Sequence, residues 1–83
     1  MSIYTPIKIF LSELPARQTE ITLTYEQIEV LLKDRLPPSA YQYPAWWENE
    51  KGGRHVQAHA WLNAGWKVEK VDQVNKWVRF IRQ

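Results

Sequence analysis

The chain opens with apolar residues at Ile7, Phe10, Leu11 and Leu14, the i, i+3, i+4, i+7 stripe of an amphipathic helix. Thr5-Pro6 precedes the stripe; Thr suits an N-cap and Pro the first helical position, where its missing N–H costs nothing. Pro15 ends the element, and residues 15–20 read as a polar loop. The period then changes. Ile21-Thr22-Leu23-Thr24 alternates, as a short strand with one buried face does. Thr24 with Gln27 makes the T-x-x-Q form of a capping box and opens a second helix running to about Lys33. That helix is expected to bury Ile28, Leu31 and Leu32 and to turn Glu26, Glu29 and Lys33 outward as an ordinary solvated face.

Pro37-Pro38 and Pro44 interrupt the next stretch, so one or two irregular turns are expected up to Trp47. Tyr41, Tyr43, Trp46 and Trp47 crowd it, and adjacent tryptophans on a helical turn diverge by roughly 100°. Trp46 is expected to join Trp61 and Trp66 in the core, leaving Trp47 nearer the surface with Tyr43. Gly52-Gly53 marks a flexible turn. Residues 55–64 form the third main helix, with Val56, Ala60, Trp61 and Ala64 as its apolar face and Gly65 as the left-handed residue that ends it. Its opposite face presents Arg54, His55, Ala58, His59, Leu62 and Asn63. Residues 66–71 and 76–82 alternate again around the turn-rich Asp72-Gln73-Val74-Asn75, which predicts a β-hairpin. Trp66 with Val68, and Val78 with Phe80, share faces, while Lys67, Lys70, Lys76 and Arg79 lie elsewhere.

The fold expected is therefore a small α+β domain: helix, short strand, helix, irregular aromatic segment, helix, C-terminal β-hairpin. This is the order of a winged helix-turn-helix, with the short strand beside the hairpin, the last helix as recognition helix and the hairpin as wing. The segment between the last two main helices, about 20 residues, is far longer than the usual 3–4-residue turn, so the match is one of topology. All 83 residues make one domain.

Three stretches, LPPSAYQYPAWWEN, HVQAHAWLNAGWKVEKVD and VRFIR, resemble a family of short bacterial domains of unknown function with the pattern LPxSA…WWxN…HxQAxAWLxAGWxVxxVD…VxFxR. The pattern falls on Leu36, Pro37, Ser39, Ala40, Trp46, Trp47, Asn49, His55, Gln57, Ala58, Trp61, Ala64, Gly65, Trp66, Val71 and Asp72. YTPI and ITLTYEQIEVLL extend it over nearly the whole chain. A basic residue is common in the family where this chain has His59, and histidine weakens a phosphate contact at neutral pH. The resemblance implies one fold unit and brings no activity.

Five Trp, four Tyr and two Phe supply the large buried rings that a chain of this size needs. With no Cys, disulfides and thiolate chemistry are excluded and a reducing cytoplasm is the natural setting. The N-terminus does not read as a signal peptide, and no run reaches the ~20 apolar residues of a membrane span, so no membrane partner is expected. Charge is uneven: residues 51–83 carry a net +5 and the first fifty −3, an asymmetry that points to a polyanionic partner.

The function expected is nucleic-acid binding, to DNA before RNA, by Arg54, His55, His59 and Asn63 on the last helix with Lys67, Lys70, Lys76 and Arg79 on the hairpin. Lys and Arg would meet phosphates, and Asn63 or Gln57 a base edge. Tyr43 and Trp47 could stack on bases or, with Leu62, form the aromatic patch of a protein-interaction or homodimer module, the alternative reading. His55 and His59, four apart, could suit a metal only with a further ligand; Glu48 and Glu50 are near in sequence, but there is no HExxH arrangement, and a structural or DNA-facing role is expected instead. Ser39, His55 and Asp72 are residue types of a triad without its geometry. Gly52-Gly53 has no phosphate-loop context. Asn49 and Gln57 are expected to hydrogen-bond backbone groups and fix the irregular segment. No enzyme activity, cofactor or metal is expected.

Overall fold

A computed structural model describes residues 2–52 and 55–83; Gly53 and Arg54, singled out for a turn and a basic face, lie outside the described residues. Helix α1 (Thr5–Ser12) has Tyr4 rather than Thr5 as its N-cap, with no side-chain cap. The Ser2 hydroxyl accepts the Tyr4 N–H at 3.1 Å instead. Ile7 and Leu11 are buried and Phe10 and Leu14 half-buried, so the stripe faces inward as its spacing requires.

Strand β1 (Glu20–Thr24) passes directly into α2 (Tyr25–Leu32). Thr24 Oγ1 accepts the Gln27 N–H at 3.0 Å and Gln27 Oε1 accepts the Thr24 N–H at 2.9 Å, a complete capping box. The sharp corner puts Tyr25, the first helical residue, into the core beside Ile28. Lys33 closes α2 at φ 56°, the left-handed conformation that costs a side chain with a Cβ roughly 1–2 kcal/mol. A short helix α3 (Pro38–Gln42) and a 3-10 turn over Pro44–Trp47 follow. Then come α4 (Val56–Asn63), Gly65 at φ 84°, β2 (Trp66–Asp72) and β3 (Trp77–Arg82).

The strands form one antiparallel sheet in the order β1-β3-β2. Pairing of β2 with β3 shifts between Val68 and Lys70, leaving Glu69 as the extra residue of a bulge. Val78 and Phe80, Leu23, and Trp66 point to the inner face and are buried. The helices cover this face, and Trp61 of α4 meets Phe80 at a ring-centroid distance of 5.6 Å.

A column of rings crosses the core. Tyr25 stacks on Trp47 at 5.2 Å, Trp47 on Trp61 at 5.9 Å, and Trp61 meets Phe80 edge-on. Trp47 is 1% exposed and its indole N–H donates to the Ala40 carbonyl at 2.9 Å. This reverses the expected division of the pair: Trp47 is the core ring, and Trp46 is half-buried against it, 4.6 Å away and edge-on. Both faces of Trp47 have aromatic partners and its one polar atom has an acceptor, which stabilises it inside.

The expected faces of α4 are also rotated. Val56 is 51% exposed, whereas Ala58 is fully buried and Leu62 half-buried against the core. Gln57 is buried too, and its Nε2 donates to the Trp46 carbonyl at 2.8 Å. A small residue at position 58 lets the helix approach closely, and the amide at 57 supplies the donor that a buried carbonyl requires.

Candidate functional site

Alternation along the strands places nine residues on the outer side of the sheet. In register across β1, β3 and β2 these are Glu20, Ile81 and Lys67, then Thr22, Arg79 and Lys70, then Thr24, Trp77 and Asp72. All the core aromatic contacts lie on the opposite side. Lys67 and Lys70 are exposed, and Trp77, Arg79 and Ile81 are half-buried. Lys70 Nζ lies 5.8 Å and the Arg79 guanidinium 5.3 Å from the Trp77 ring centroid, within the range of cation–π attraction. Arg79 also pairs with Glu69 at 3.3 Å. Both side chains remain more than a third exposed, so the pair contributes only about 0–1 kcal/mol.

The other nominated residues do not join this surface. His55 sits just before α4 with Nδ1 3.6 Å from Glu50 Oε2. His59 Nε2 is 2.9 Å from the Lys51 carbonyl; a carbonyl only accepts, so Nε2 carries the hydrogen. Asn63 is exposed, and with Ser2, Thr5, Lys8, Val56 and His59 it borders a shallow hollow of about 250 Å³ between α1 and α4. This side carries little positive charge among the described residues. Leu62 and Trp47 are committed to packing, which removes both from the expected interface; Tyr43 is 59% exposed.

Lys76 occupies the hairpin turn at φ 59°, with Nζ 5.9 Å from the Tyr41 ring. It borders an open cleft of about 960 Å³ together with Thr24, Glu26, Glu29, Arg35 and Tyr41. Glu29 is not the solvated residue its helical position suggests: one carboxylate oxygen accepts the Leu36 N–H at 2.8 Å and the Tyr41 hydroxyl at 2.9 Å. Burial, reinforced by that carboxylate, raises the Tyr41 pKa; burial likewise raises those of Tyr25 and Tyr4.

Asn49 holds the edge of the sheet. Its Oδ1 accepts the Val68 N–H and its Nδ2 donates to the Val68 carbonyl, both at 2.8 Å. Oδ1 also accepts the Trp61 indole N–H at 3.0 Å. One amide thus satisfies a residue of the edge strand β2 as a further strand would. Asp72 accepts from the Asn75 and Val74 N–H groups and from the Asn75 amide. The Asn75 bonds hold its carboxyl below the usual range. Its oxygens are turn acceptors. Arg82, counted in the basic C-terminal stretch, donates to the Gln18 and Pro15 carbonyls and lies 4.5 Å from the Trp66 ring. It anchors the end of β3 to the loop after α1.

Residues 4–83 match the family described as Domain of unknown function (DUF7662). The chain belongs to this family. No curated protein and no solved structure matches it. Several of the residues on which the sequence resemblance rests, among them Leu36, Ala40, Trp47, Ala58, Trp61 and Trp66, are core residues, and Asn49, Gly65 and Asp72 shape the backbone around them. They account for the fold. The outward group of Trp77, Lys70 and Arg79 lies outside them. Trp77 is an aromatic one position out of phase with the inward-facing Val78 and Phe80, the signal in the sequence for its outward placement.

Proposed function

We propose that this chain is a nucleic-acid-binding module that offers the outer face of its sheet to the phosphate backbone. The observation that carries the reading is that Lys67, Lys70 and Arg79 share a helix-free sheet face with Trp77, Lys70 and Arg79 lying beside its ring, on a face that also carries Glu20 and Asp72. The order of elements, with strand order β1-β3-β2, is compatible with a winged helix-turn-helix, a fold common among DNA-binding proteins. The contact surface differs from the recognition-helix scheme: α4 lies on the other side of the sheet, and its exposed Val56 and Asn63 and half-buried His59 supply no fixed positive charge. DNA is preferred over RNA on the fold's account, and no catalysis is assigned. A bacterial cytoplasm is the setting we assign, in keeping with the sequence resemblance and the absence of Cys. The interaction or homodimer reading loses Trp47 and Leu62 to the core and retains Tyr43.

Three cations set a modest expectation. At about 0.7–0.9 per phosphate contact, the slope of log affinity against log salt is roughly −2 to −3, so binding is measurable chiefly at low ionic strength. Titration of duplex DNA, single-stranded DNA and RNA at several salt concentrations tests this. The expected result is a slope in that range, with affinity lost when Lys67→Glu and Lys70→Glu are combined. Absence of binding to every nucleic acid at low salt contradicts the proposal.

A further inference from the structure

The helix-free face of the sheet carries more than charge. Trp77 lies on the central strand, half-buried, with Lys70 on one neighbouring strand and Arg79 two residues along its own. Outward residues two apart on a strand are about 6.8 Å from each other, so an indole and two cationic groups fall within one nucleotide's reach. Both cations rest near the indole in the free protein, at 5.8 Å and 5.3 Å. Lys70 is exposed on a flexible stem, and the Arg79 carboxylate partner, Glu69, is exposed as well. Each can swing aside without disturbing the core. An indole with two cations beside it, on the cross-strand partners Lys70 and Arg79, differs from the other tryptophans here: Trp47, Trp61 and Trp66 are buried, and Trp46 packs against Tyr4 and Trp47.

We infer that Trp77 is a stacking platform for an unpaired nucleobase, and that the ligand of this face is single-stranded nucleic acid. The inference rests on the nucleic-acid reading above and specifies its substrate. A base laid on the indole displaces Lys70 toward the edge of the ring, where its ammonium meets the adjoining phosphate; Arg79 exchanges Glu69 for a second phosphate. A paired duplex offers its phosphates but keeps its base faces inside the stack, so it can use Lys67, Lys70 and Arg79 and cannot use Trp77. Base stacking on an aromatic ring tolerates any sequence, and the face holds no set of donors and acceptors arranged to read one base edge. Weak sequence preference follows. DNA and RNA strands share the chemistry required, and the outward hydroxyls of Thr22 and Thr24 are the only neutral side-chain hydroxyls in the group that could respond to a ribose.

The test uses the whole chain and four probes at low salt: a short oligothymidylate, an oligouridylate, a blunt DNA duplex and inorganic polyphosphate. Affinity and the NMR resonance of the Trp77 indole N–H are recorded for each. The expected result is a shift of that resonance with both oligonucleotides and little shift with polyphosphate. Trp77→Leu is expected to weaken oligonucleotide binding roughly 5- to 150-fold and to leave polyphosphate binding unchanged, while Trp77→Phe retains most of it. If Trp77→Leu compromises folding, the wild-type indole shift and Trp77→Phe still decide. Oligonucleotide binding with an unmoved indole and no effect of Trp77→Leu overturns the platform. Duplex binding in clear preference to single strands overturns it too, while the nucleic-acid function stands. If no probe binds, both readings fall. Unequal affinity for the two oligonucleotides, lost in Thr22→Val, would distinguish ribose from deoxyribose recognition on the same platform and so support it.

Discussion

The two sides of the three-stranded sheet differ in what their side chains are committed to. On the inner side many strong groups have a partner: Trp47 with Ala40, Tyr25 and Trp61, Asn49 with Val68 and Trp61, Gln57 with Trp46, while the buried Tyr25 hydroxyl and Trp66 indole N–H have no hydrogen-bond partner among the described residues. On the outer side Lys67 and Lys70 have no carboxylate partner among the described residues, and Arg79 has only the exposed Glu69. A tryptophan buried among partners raises stability. One left half-open beside Lys70 and the ion-paired Arg79 is not committed to the core.

The contrast is broken most severely by Trp47. Replacing it with Ala removes the middle of the aromatic column and is expected to cost about 3–5 kcal/mol, enough to unfold a domain of this size. Tyr43→Ala, four residues earlier and exposed, is expected to stay within about 0.5 kcal/mol. Urea denaturation of both compares the two positions; equal effects would return Trp47 to the surface.

Asn49→Leu comes next. It leaves the Trp61 indole N–H and the Val68 backbone groups without their acceptor and donor, at roughly 1–3 kcal/mol for each group left unpaired and buried. It also opens the β2 edge, so association that rises with concentration is expected alongside the lower melting temperature. Lys67→Glu with Lys70→Glu is the mirror experiment on the outer side: nucleic-acid binding is expected to fall while the unfolding free energy moves by no more than about 0.5 kcal/mol. Loss of stability instead would show that the outer face is structural after all.

The smallest effect belongs to Asp72, at the end of β2. Its carboxyl lies below its ordinary value because of the bonds from Asn75. The stability it contributes is therefore complete above the unfolded carboxylate pKa and is lost as pH falls through the lower native one. Asp72→Asn should flatten the acid limb of the stability profile over that window. Burial raises the Tyr4, Tyr25 and Tyr41 values, so their contribution is complete below the ordinary tyrosine pKa and lost as pH rises through the native ones.

Local signals gave the elements away. The Thr24/Gln27 box, the Ile7–Leu14 stripe, Gly65 and the alternation of the hairpin each act within a few residues, and each appears where its chemistry put it. The orientation of Trp46 against Trp47 was not legible, because it depends on an acceptor at Ala40 and stacking partners at Tyr25 and Trp61, brought close only by folding. The same holds for α4. Its apolar, small and aromatic residues surround most of the helix, so periodicity alone could not show that Ala58 rather than Val56 turns inward. Glu29 shows no partner in the local sequence, because its partners Leu36 and Tyr41 come from the irregular segment. The same limit applies to the candidate site: nearness in sequence groups the α4 residues with the hairpin cations, although strand alternation sends Lys67, Lys70 and Arg79 to one side of the sheet and α4 lies on the other.

The most direct test of the outer face as the binding surface is a backbone amide and indole chemical-shift map of the isotope-labelled chain titrated with a short oligothymidylate at low salt. The largest shifts are expected at Lys67, Lys70, Trp77 and Arg79, with His59 and Asn63 unmoved. Shifts concentrated at Val56, His59 and Asn63, with Trp77 silent, would contradict the account and restore α4 as the recognition helix.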